Sequence, residues 1–297
     1  MRFLAIGECM VEMAPDGQGK FSLNYAGDTM NTAWYMRRLL GPDHHVSYLT
    51  AVGEDEVSDQ MVAFMSQSGI DTSDIARISN RSVGLYVILL TNGERRFSYW
   101  RGQSAAKLLV QGLDELPGSA GDLIYFSGIT LAILSDGDRE QLLSLLRSAR
   151  SKGATIAFDP NMRPRLWPSP TIMLHEIMRG AAVADIVLPS ADEESVHTGD
   201  ASPDETRDRY LRNGSAVVVV KNGPGRIAAA DPKDRLSYQP DTIAAPKDTT
   251  AAGDSFNAGF LAAYLTGSDL RSSVEAGSRL AGLVVQQFGA LVPVDGD

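Results

Sequence analysis

The stretch Asp248-Thr249-Thr250-Ala251-Ala252-Gly253-Asp254-Ser255-Phe256 lies near the C-terminal end of the chain. It consists mainly of small residues, and from Asp254 onward the apolar residues Phe256, Phe260 and Tyr264 recur at helical spacing. The pattern predicts a turn that opens onto the N-terminus of a helix. The first N–H groups of a helix have no intrahelical partner, and the helix dipole adds partial positive charge there. We therefore expect this turn to bind a phosphate or another anion.

An acidic residue, Asp254, stands inside this predicted anion site. Our interpretation is that its carboxylate deprotonates an attacking hydroxyl, while the backbone amides of Ala251, Ala252, Gly253 and Asp254 stabilise a transferring phosphoryl group. The alternative is that Asp254 only caps the helix, because aspartate is a favoured N-cap residue. Spacing alone does not decide between the two.

Length and charge limit the possible partners. The chain has 297 residues, enough for one large α/β domain, and a formal net charge of −10. Nucleic acids and anionic membranes require a basic face, so we expect neither as a partner. A single cysteine, Cys9, excludes an intrachain disulfide, and no apolar run has the length of a membrane span. These features predict a cytoplasmic protein.

Strand and helix patterns alternate along most of the chain. Residues 2–7 and 46–52 have the apolar pattern of buried strands, and residues 29–40 between them have helical spacing. This order predicts a parallel sheet with helices on its faces. Further strands are predicted at residues 123–127, 155–159, 186–189, 217–221 and 227–230, and further helices at 139–151, 255–265 and 270–287.

Two segments interrupt this alternation. The β-rich runs 83–90 and 95–100 flank Asn92-Gly93, a strong hairpin signal, and Pro15-Asp16-Gly17 marks another turn within residues 10–25. Together they predict a small β-layer outside the main sheet. The alternative is an antiparallel edge that extends the main sheet, because mixed sheets of that kind are common.

The polar segment Ala26-Gly27-Asp28-Thr29-Met30-Asn31 stands just before the first predicted helix. Glycine lets backbone approach a ligand closely, and a carboxylate with an amide can bind adjacent hydroxyls of a polyol. Taken alone, Asp28 is also a good candidate for a helix N-cap.

These stretches together resemble the ribokinase-like sugar kinases, the PfkB family. The C-terminal stretch is similar to the family signature Asp-Thr-x-Gly-Ala-Gly-Asp, with Ala251 in place of the first glycine. The N-terminal hexad is similar to Gly-Gly-Asp-x-x-Asn, with Ala26 in place of the first glycine. The resemblance implies a three-layer α/β/α domain over residues 1–297, with a mostly parallel central sheet. It also implies a small β-lid formed by the inserted segments at about 10–25 and 83–101.

The lid segments Gly84-Leu85-Tyr86 and Phe97-Ser98-Tyr99-Trp100-Arg101 resemble one branch, the 2-keto-3-deoxygluconate kinases. Strand alternation places Tyr99 and Arg101 on one face of the strand. The planar guanidinium of an arginine can donate hydrogen bonds to both oxygens of a carboxylate. The alternative is that the aromatic residues are lid core and Arg101 is solvated. The resemblance implies that the sugar acid is bound by Gly27, Asp28, Asn31, Tyr86, Tyr99, Arg101, Ile129, Arg163 and Asp254.

The segment Asp159-Pro160-Asn161-Met162-Arg163 follows a predicted strand, at the sheet edge where open α/β sheets bind ligands. It resembles the family's Asp-x-Asn-x-Arg segment. The resemblance makes Arg163 a cation for the substrate or the phosphoryl group, oriented by Asp159. The alternative is a structural salt bridge in this loop.

The remaining motifs concern ATP and magnesium. Ser190-Ala191-Asp192-Glu193 resembles Asn-x-x-Glu, which implies that Glu193 holds Mg²⁺, mostly through water. The turn after residue 220 resembles the family's Lys-x-Gly turn. The resemblance therefore implies an ATP site bordered by Lys221, Gly223, Gly225, Ala252, Gly253 and Asn257.

The sequence thus predicts an ATP-dependent kinase of the 6-hydroxyl of 2-keto-3-deoxygluconate. A ribokinase or fructokinase acting on a neutral sugar is the alternative within the same class, and a non-catalytic sugar-acid sensor is the alternative outside it. An oxidoreductase is disfavoured, because no Gly-x-Gly-x-x-Gly follows the first strand. Since exposed lid edges can pair between subunits, we also expect a homo-oligomer.

Overall fold

A computed structural model describes residues 1–17, 19–91 and 94–294. In chain order its strands are β1 (Arg2–Ile6), β2 (Met10–Gly17), β3 (Lys20–Ala26), β4 (His45–Val52), β5 (Ile75–Arg77), β6 (Gly84–Thr91), β7 (Glu94–Trp100), β8 (Leu123–Ser127), β9 (Thr155–Asp159), β10 (Ile186–Val187), β11 (Val217–Val220), β12 (Ile227–Ala230) and β13 (Arg235–Tyr238). Its α-helices are α1 (Asp28–Leu39), α2 (Glu56–Gln67), α3 (Gly128–Ile133), α4 (Asp136–Ser151), α5 (Pro170–Val183), α6 (Ala191–Thr198), α7 (Pro203–Arg212), α8 (Ala252–Leu265) and α9 (Leu270–Val284).

The large sheet has nine strands in the order β13-β12-β11-β10-β9-β8-β1-β4-β5. The seven strands from β11 to β5 are parallel, and β12 and β13 join antiparallel at one edge. The predicted α/β class with a mostly parallel central sheet is therefore confirmed. All predicted strands are present, with β10 shorter than expected. The prediction omitted the helices α2, α3, α5, α6 and α7 and the strands β5 and β13.

Alternate residues of the central strands enter two separate cores, one on each face of the sheet. In β1, Phe3 and Ala5 pack into one hydrophobic cluster, and Leu4 and Ile6 pack into the other. The first cluster contains residues of α1, α2, α8 and α9, and the second contains residues of α3, α4, α5 and α7. This two-sided burial explains why the strands are continuous apolar runs, and it establishes the three-layer arrangement. Each fully buried large apolar side chain contributes about 1.5–3 kcal/mol.

The small sheet is separate and has the order β3-β2-β6-β7. Strands β6 and β7 are antiparallel and pair Tyr86 with Tyr99 and Thr91 with Glu94. The hairpin is thus not an edge of the large sheet, and that alternative is wrong. Its predicted turn residues, Asn92 and Gly93, lie outside the described residues.

The small sheet packs near the C-terminal stretch. Met10, Ala26, Tyr86 and Ile88 form a buried cluster with Ala290, and Ala251 packs against it. The small sheet therefore lies against the turn that carries the predicted chemistry. Among the described residues, no helix combines the length and hydropathy that crossing a membrane requires.

Candidate active site

The C-terminal stretch forms a turn and the beginning of α8. The helix starts at Ala252, with Ala251 at the N-cap position in the left-handed region at φ 58°. Asp254 thus lies inside the first turn, two residues later than the helix start, and the alternative that it merely caps the helix is wrong. The expected start of the helix at residue 254 or 255 was too late, because small residues carry no apolar periodicity.

The turn before α8 is held by a buried carboxylate. Asp248 accepts hydrogen bonds from Thr250 Oγ1 at 2.7 Å and from the Gly289 amide at 2.8 Å. Within the turn, the Ala252 amide donates to the Thr249 carbonyl at 3.2 Å. One of the four amides predicted to stabilise a phosphoryl group is therefore already engaged in the turn.

Asp254 is surrounded by groups that act on its ionisation in both directions, and those that oppose it prevail. Burial raises its pKa to about 8, and the charges of Asp28 and Asp159 contribute to the rise. A hydrogen bond from Asn31 Nδ2, 2.8 Å from Oδ2, and the Lys221 ammonium act in the opposite direction. A carboxylate with a pKa near the operating pH is well suited to accept a proton from a hydroxyl.

The N-terminal hexad packs directly against the start of the large sheet. A Cβ on Gly27 would lie 2.2 Å from the Glu8 carbonyl oxygen, so only glycine fits at this position. Asp28 is the first residue of α1 and makes no capping bond, because Gly27 occupies the N-cap position. Its carboxylate accepts a hydrogen bond from Asn161 Nδ2 at 2.8 Å instead. The N-cap interpretation of Asp28 is therefore wrong.

The two tyrosines of the small sheet differ in exposure. Tyr86 is buried and donates a hydrogen bond to the buried carboxylate of Glu12. Burial and the Glu12 charge raise the pKa of Tyr86, so its hydroxyl remains protonated. Tyr99 is 51% exposed, and its ring centroid lies 5.7 Å from that of Tyr86.

Arg101 pairs with Glu8, a carboxylate that is only 2% exposed. The alternative that Arg101 is a solvated lid residue is therefore wrong. Among the described residues, Arg101 Nε and Glu8 Oε1 have no hydrogen-bond partner. A Cβ on Gly84 would lie 2.7 Å from Glu8 Oε1, so the pair sits beside the first strand of the hairpin. The guanidinium is thus fixed next to the hexad and retains unused hydrogen-bonding capacity.

Arg163 contacts Glu193 and not the expected Asp159. Its guanidinium pairs with the Glu193 carboxylate, which also accepts a hydrogen bond from the Met162 amide at 2.9 Å. The Arg163 side chain remains 48% exposed, so it can still reach a ligand. The alternative of a structural salt bridge in this loop therefore remains open, with Glu193 as the partner.

Lys221 lies beneath the first turn of α8. Its Nζ is 2.7 Å from Asp159 Oδ2 and 3.0 Å from Asn257 Oδ1. Asn257 has no exposed surface, and its amide donates to Asp159 Oδ2 at 2.6 Å and to the Tyr125 hydroxyl at 3.0 Å. Both predicted nucleotide contacts, Lys221 and Asn257, are thus buried partners of Asp159, and their contact with ATP stays a prediction.

Other predicted residues lie directly after strands at the same sheet edge. Ile129 is half-buried in α3, directly after β8, and Gly223 and Gly225 lie in the turn after β11. Glu8, Glu12, Asn161 and Tyr125 were not predicted as site residues. The sequence could have identified Glu8, because a charged residue that follows a buried strand at the carboxyl edge of a parallel sheet is typical of a ligand site.

Among residues 1–17, 19–91 and 94–294, no group of three or more His, Cys, Asp or Glu side chains is arranged to hold a metal ion. Glu193 is therefore a single carboxylate ligand candidate, and its two oxygens are already engaged by Arg163 and by the Met162 amide. A single carboxylate is compatible with Mg²⁺, which proteins often bind through one or two carboxylates together with substrate phosphates.

Comparisons with known proteins cover nearly the whole chain. The sequence matches the pfkB family of carbohydrate kinases over residues 2–295. A 2-dehydro-3-deoxygluconokinase of Dickeya dadantii (strain 3937) is 37% identical over 300 residues, which covers 98% of this chain and 96% of the relative. The protein of the same name from Escherichia coli (strain K12) is 38% identical over 304 residues, covering 98% and 97%.

Among solved structures, the fructokinase of Vibrio cholerae O395, in a form with bound fructose, ADP and calcium ion, superposes with a TM-score of 0.83. It is 25% identical, and the superposition covers 97% of this chain and 94% of the fructokinase. The full-length match, the ribokinase-like fold and the geometry of the Asp254 turn agree, and the chain belongs to the pfkB family of carbohydrate kinases.

Proposed function

We propose that the protein phosphorylates the 6-hydroxyl of 2-keto-3-deoxy-D-gluconate with ATP, giving 2-keto-3-deoxy-6-phosphogluconate and ADP. The observation that carries the proposal is the placement of two groups around one short segment, residues 27–31. Arg101 pairs with Glu8, whose backbone carbonyl packs against Gly27, and Asp254 is hydrogen-bonded to Asn31. A linear or cyclic sugar acid could thus place its carboxylate at Arg101 and a hydroxyl at Asp254.

The relatives named 2-dehydro-3-deoxygluconokinase support the sugar acid as substrate. They are 37% and 38% identical to this chain, whereas the fructokinase is 25% identical. A neutral sugar would leave the buried Arg101–Glu8 pair without a ligand for its unused donor.

In the reaction we propose, Asp254 orients the attacking hydroxyl and accepts its proton. The free amides at the start of α8 bind the transferring phosphoryl group, and the positive end of the helix stabilises its charge. The guanidinium of Arg163 adds positive charge to that of the helix end, and it can reach the phosphoryl group because it is half exposed. Asn31 and Asn161 hold Asp254 and Asp28 in place through hydrogen bonds of 2.8 Å each. Mg²⁺, which Glu193 would hold with the phosphates, would supply charge neutralisation.

The ATP base and ribose, we propose, lie near the turn that contains Gly223 and Gly225. Gln239 donates a hydrogen bond to the Pro224 carbonyl at 2.9 Å and ties this turn to the end of β13. There a cleft of about 390 Å³ opens between β13 and α9, lined in part by Ile243, Ser278 and Gly282. The Ser278 hydroxyl beside this cleft is buried and has no hydrogen-bond partner within the described part of the chain.

The decisive experiment measures ADP formation by the purified protein with Mg²⁺-ATP and, in parallel, 2-keto-3-deoxygluconate, fructose and ribose at equal low concentrations. We expect a strong preference for the sugar acid. Preference for a neutral sugar would overturn the role of Arg101 and retain that of Asp254. Binding of the sugar acid without ADP formation would overturn the kinase activity in favour of a sensor.

Assembly and location are predictions that this experiment does not address. The strand order leaves β3 and β7 at the edges of the small sheet, and we propose that such an edge pairs in a homo-oligomer. Sedimentation of the purified protein would test this. The proposed cytoplasmic location can be tested by cell fractionation.

A further inference from the structure

The buried pair Lys221–Asp159 is unusual for its position. The ammonium of Lys221 lies beside the first turn of α8, where a Cβ on Gly253 would be 3.8 Å from Nζ, and it contacts Asn257 one turn further along. The N-terminal end of a helix already carries partial positive charge, so a cation there is electrostatically unfavourable. Lys221 is also 93% buried, which adds a desolvation cost.

The buried partners of Lys221 restrain the ammonium rather than leave it mobile. Asp159 Oδ2 lies 2.7 Å from Nζ, and the Asn257 amide bridges the same carboxylate oxygen and the Tyr125 hydroxyl. The backbone of Lys221 is fixed as well, because its N–H and C=O bond to Pro189 and Ala191. The ion pair with Asp159 holds the cation in place, and the cation therefore also puts fixed positive charge beside the first turn of α8, which carries Asp254.

We propose that Lys221 is a positioning residue of the phosphoryl-transfer site, whose buried ammonium favours the ionised form of Asp254 and offsets the charge of Asp159. This inference rests on the proposed function, in which Asp254 accepts a proton. It gives Lys221 a role from beneath the catalytic turn, in contrast to a contact with the nucleotide. Lys221 touches neither substrate nor the reacting atoms in this role.

Several charged and titratable groups face Asp254, and they act in opposite directions. Asp28 and Asp159 disfavour its ionisation, whereas Asn31 and Lys221 favour it. Among these groups, Lys221 is the cation, and its charge lowers the pKa of Asp254. The groups facing Asp254, by element, are Asp28, Asn31 and Tyr35 of α1, Tyr125 of β8, Asp159 of β9 and Lys221 after β11.

The first test compares the pH dependence of kcat/KM for the wild type and three variants. Lys221→Met should shift the midpoint of the acid limb to higher pH, because the favourable charge is lost. Lys221→Arg keeps the charge and should leave the midpoint close to that of the wild type. Lys221→Met alone leaves Asp159 unpaired, so the double variant Lys221→Met/Asp159→Asn controls for misfolding, and its midpoint should return toward the wild-type value.

The second test titrates Asp254 directly in the enzyme without substrates, by NMR of carboxyl-labelled aspartate, with Asp254→Asn to assign the signal. The pKa of Asp254 should shift among the variants in the same directions as the midpoints of the kcat/KM profiles. A midpoint that is identical in the wild type, Lys221→Met and the double variant, with only a uniform loss of rate, would overturn the proposal and leave Lys221 as a structural residue. If the wild type does not phosphorylate the sugar acid, the proposed function fails, and the NMR titration still decides the role of Lys221.

Discussion

Asn31 donates a hydrogen bond from its side-chain amide to the carboxylate of Asp254, and the two atoms are 2.8 Å apart although 223 residues separate them in sequence. The bond joins the first turn of α1 to the first turn of α8. The Asn31 Oδ1 atom also accepts a hydrogen bond from the Gly27 amide at 3.3 Å. One amide side chain therefore connects the residues predicted to bind the sugar with the residue predicted to take its proton.

Replacing Asn31 by Ala should shift the acid limb of kcat/KM to higher pH. The hydrogen bond from Asn31 lowers the pKa of Asp254, so its loss makes the carboxylate harder to ionise. The measurement is a pH profile of kcat/KM beside that of Asn213→Ala, which removes a bond to the distant Met178 carbonyl. Equal profiles for both variants would contradict the electrostatic link between Asn31 and Asp254.

In the wild type, kcat/KM should rise with pH and reach half of its plateau near pH 8. The rate constant depends on the free enzyme, in which Asp254 must be ionised to accept a proton, and its pKa is raised to about 8 by burial and by Asp28. Initial rates at low sugar-acid concentration measure this directly. A kcat/KM that is constant from about pH 6 to about pH 9 would show that Asp254 does not titrate in this range or is not the base.

Asp254→Asn should lower kcat by a factor of about 10² to 10⁴, the usual contribution of a general base, with little change in sugar binding. Asparagine has nearly the same shape but cannot accept the proton. Rates with saturating substrates and calorimetric binding of the sugar acid are the two measurements. Asp234→Asn, a change at an exposed turn, is the control and should retain wild-type turnover.

The same Asp254→Asn variant should be more stable than the wild type at alkaline pH. A carboxyl whose pKa is raised on folding binds its proton more tightly in the folded state. The wild type therefore loses stability as pH rises from about 3.8 toward about 8, and the loss is complete above that value. Asparagine avoids this loss, so the gain in unfolding free energy should grow with pH, to the order of a few kcal/mol. Denaturant unfolding at about pH 5 and about pH 9 measures it, and an equal gain at both would contradict the pKa assignment.

Arg101→Leu should raise KM for the sugar acid by a factor of about 10 to 100, the effect of losing a charged hydrogen bond, while KM for ATP changes little. The variant also leaves the buried Glu8 unpaired, which destabilises a protein by about 3–5 kcal/mol. The double variant Glu8→Gln/Arg101→Leu is the control. It should recover stability and keep the raised KM for the sugar acid. Equal increases in both KM values would contradict the carboxylate role of Arg101.

Ala251→Gly should stabilise the protein by up to about 1 kcal/mol without loss of turnover. Ala251 has φ 58°, a left-handed conformation. This conformation costs free energy in a residue with a Cβ but not in glycine. Ala252→Gly is the matched control, because Ala252 lies in the first turn of α8 and should lose about 0.5–1 kcal/mol. Thermal unfolding of both variants is the measurement, and the two effects should have opposite signs.

Local sequence patterns determined the parts of this protein that depend on neighbouring residues. The apolar runs of β1, β8 and β9 identified parallel strands buried on both faces, and the polar segments after them identified the sheet edge that carries the site. The β-rich runs around Asn92 and Gly93 identified the hairpin of the small sheet. The motifs that contain Asp28, Arg163 and Asp254 resemble those of the PfkB family, and it was this resemblance that predicted a sugar kinase, because spacing alone left each residue with a structural alternative.

Tertiary structure alone decided which charged groups meet. Arg101 pairs with Glu8 across 93 residues, Arg163 pairs with Glu193 in place of Asp159, and Lys221 lies under α8 beside Asp159. It also placed Asp254 inside a helix turn, since the small residues before it give no periodicity from which to read the helix start. Local spacing reports backbone conformation and the face of an element, whereas the partner of a buried charge, and hence its pKa, depends on how distant elements pack once the sheet is complete.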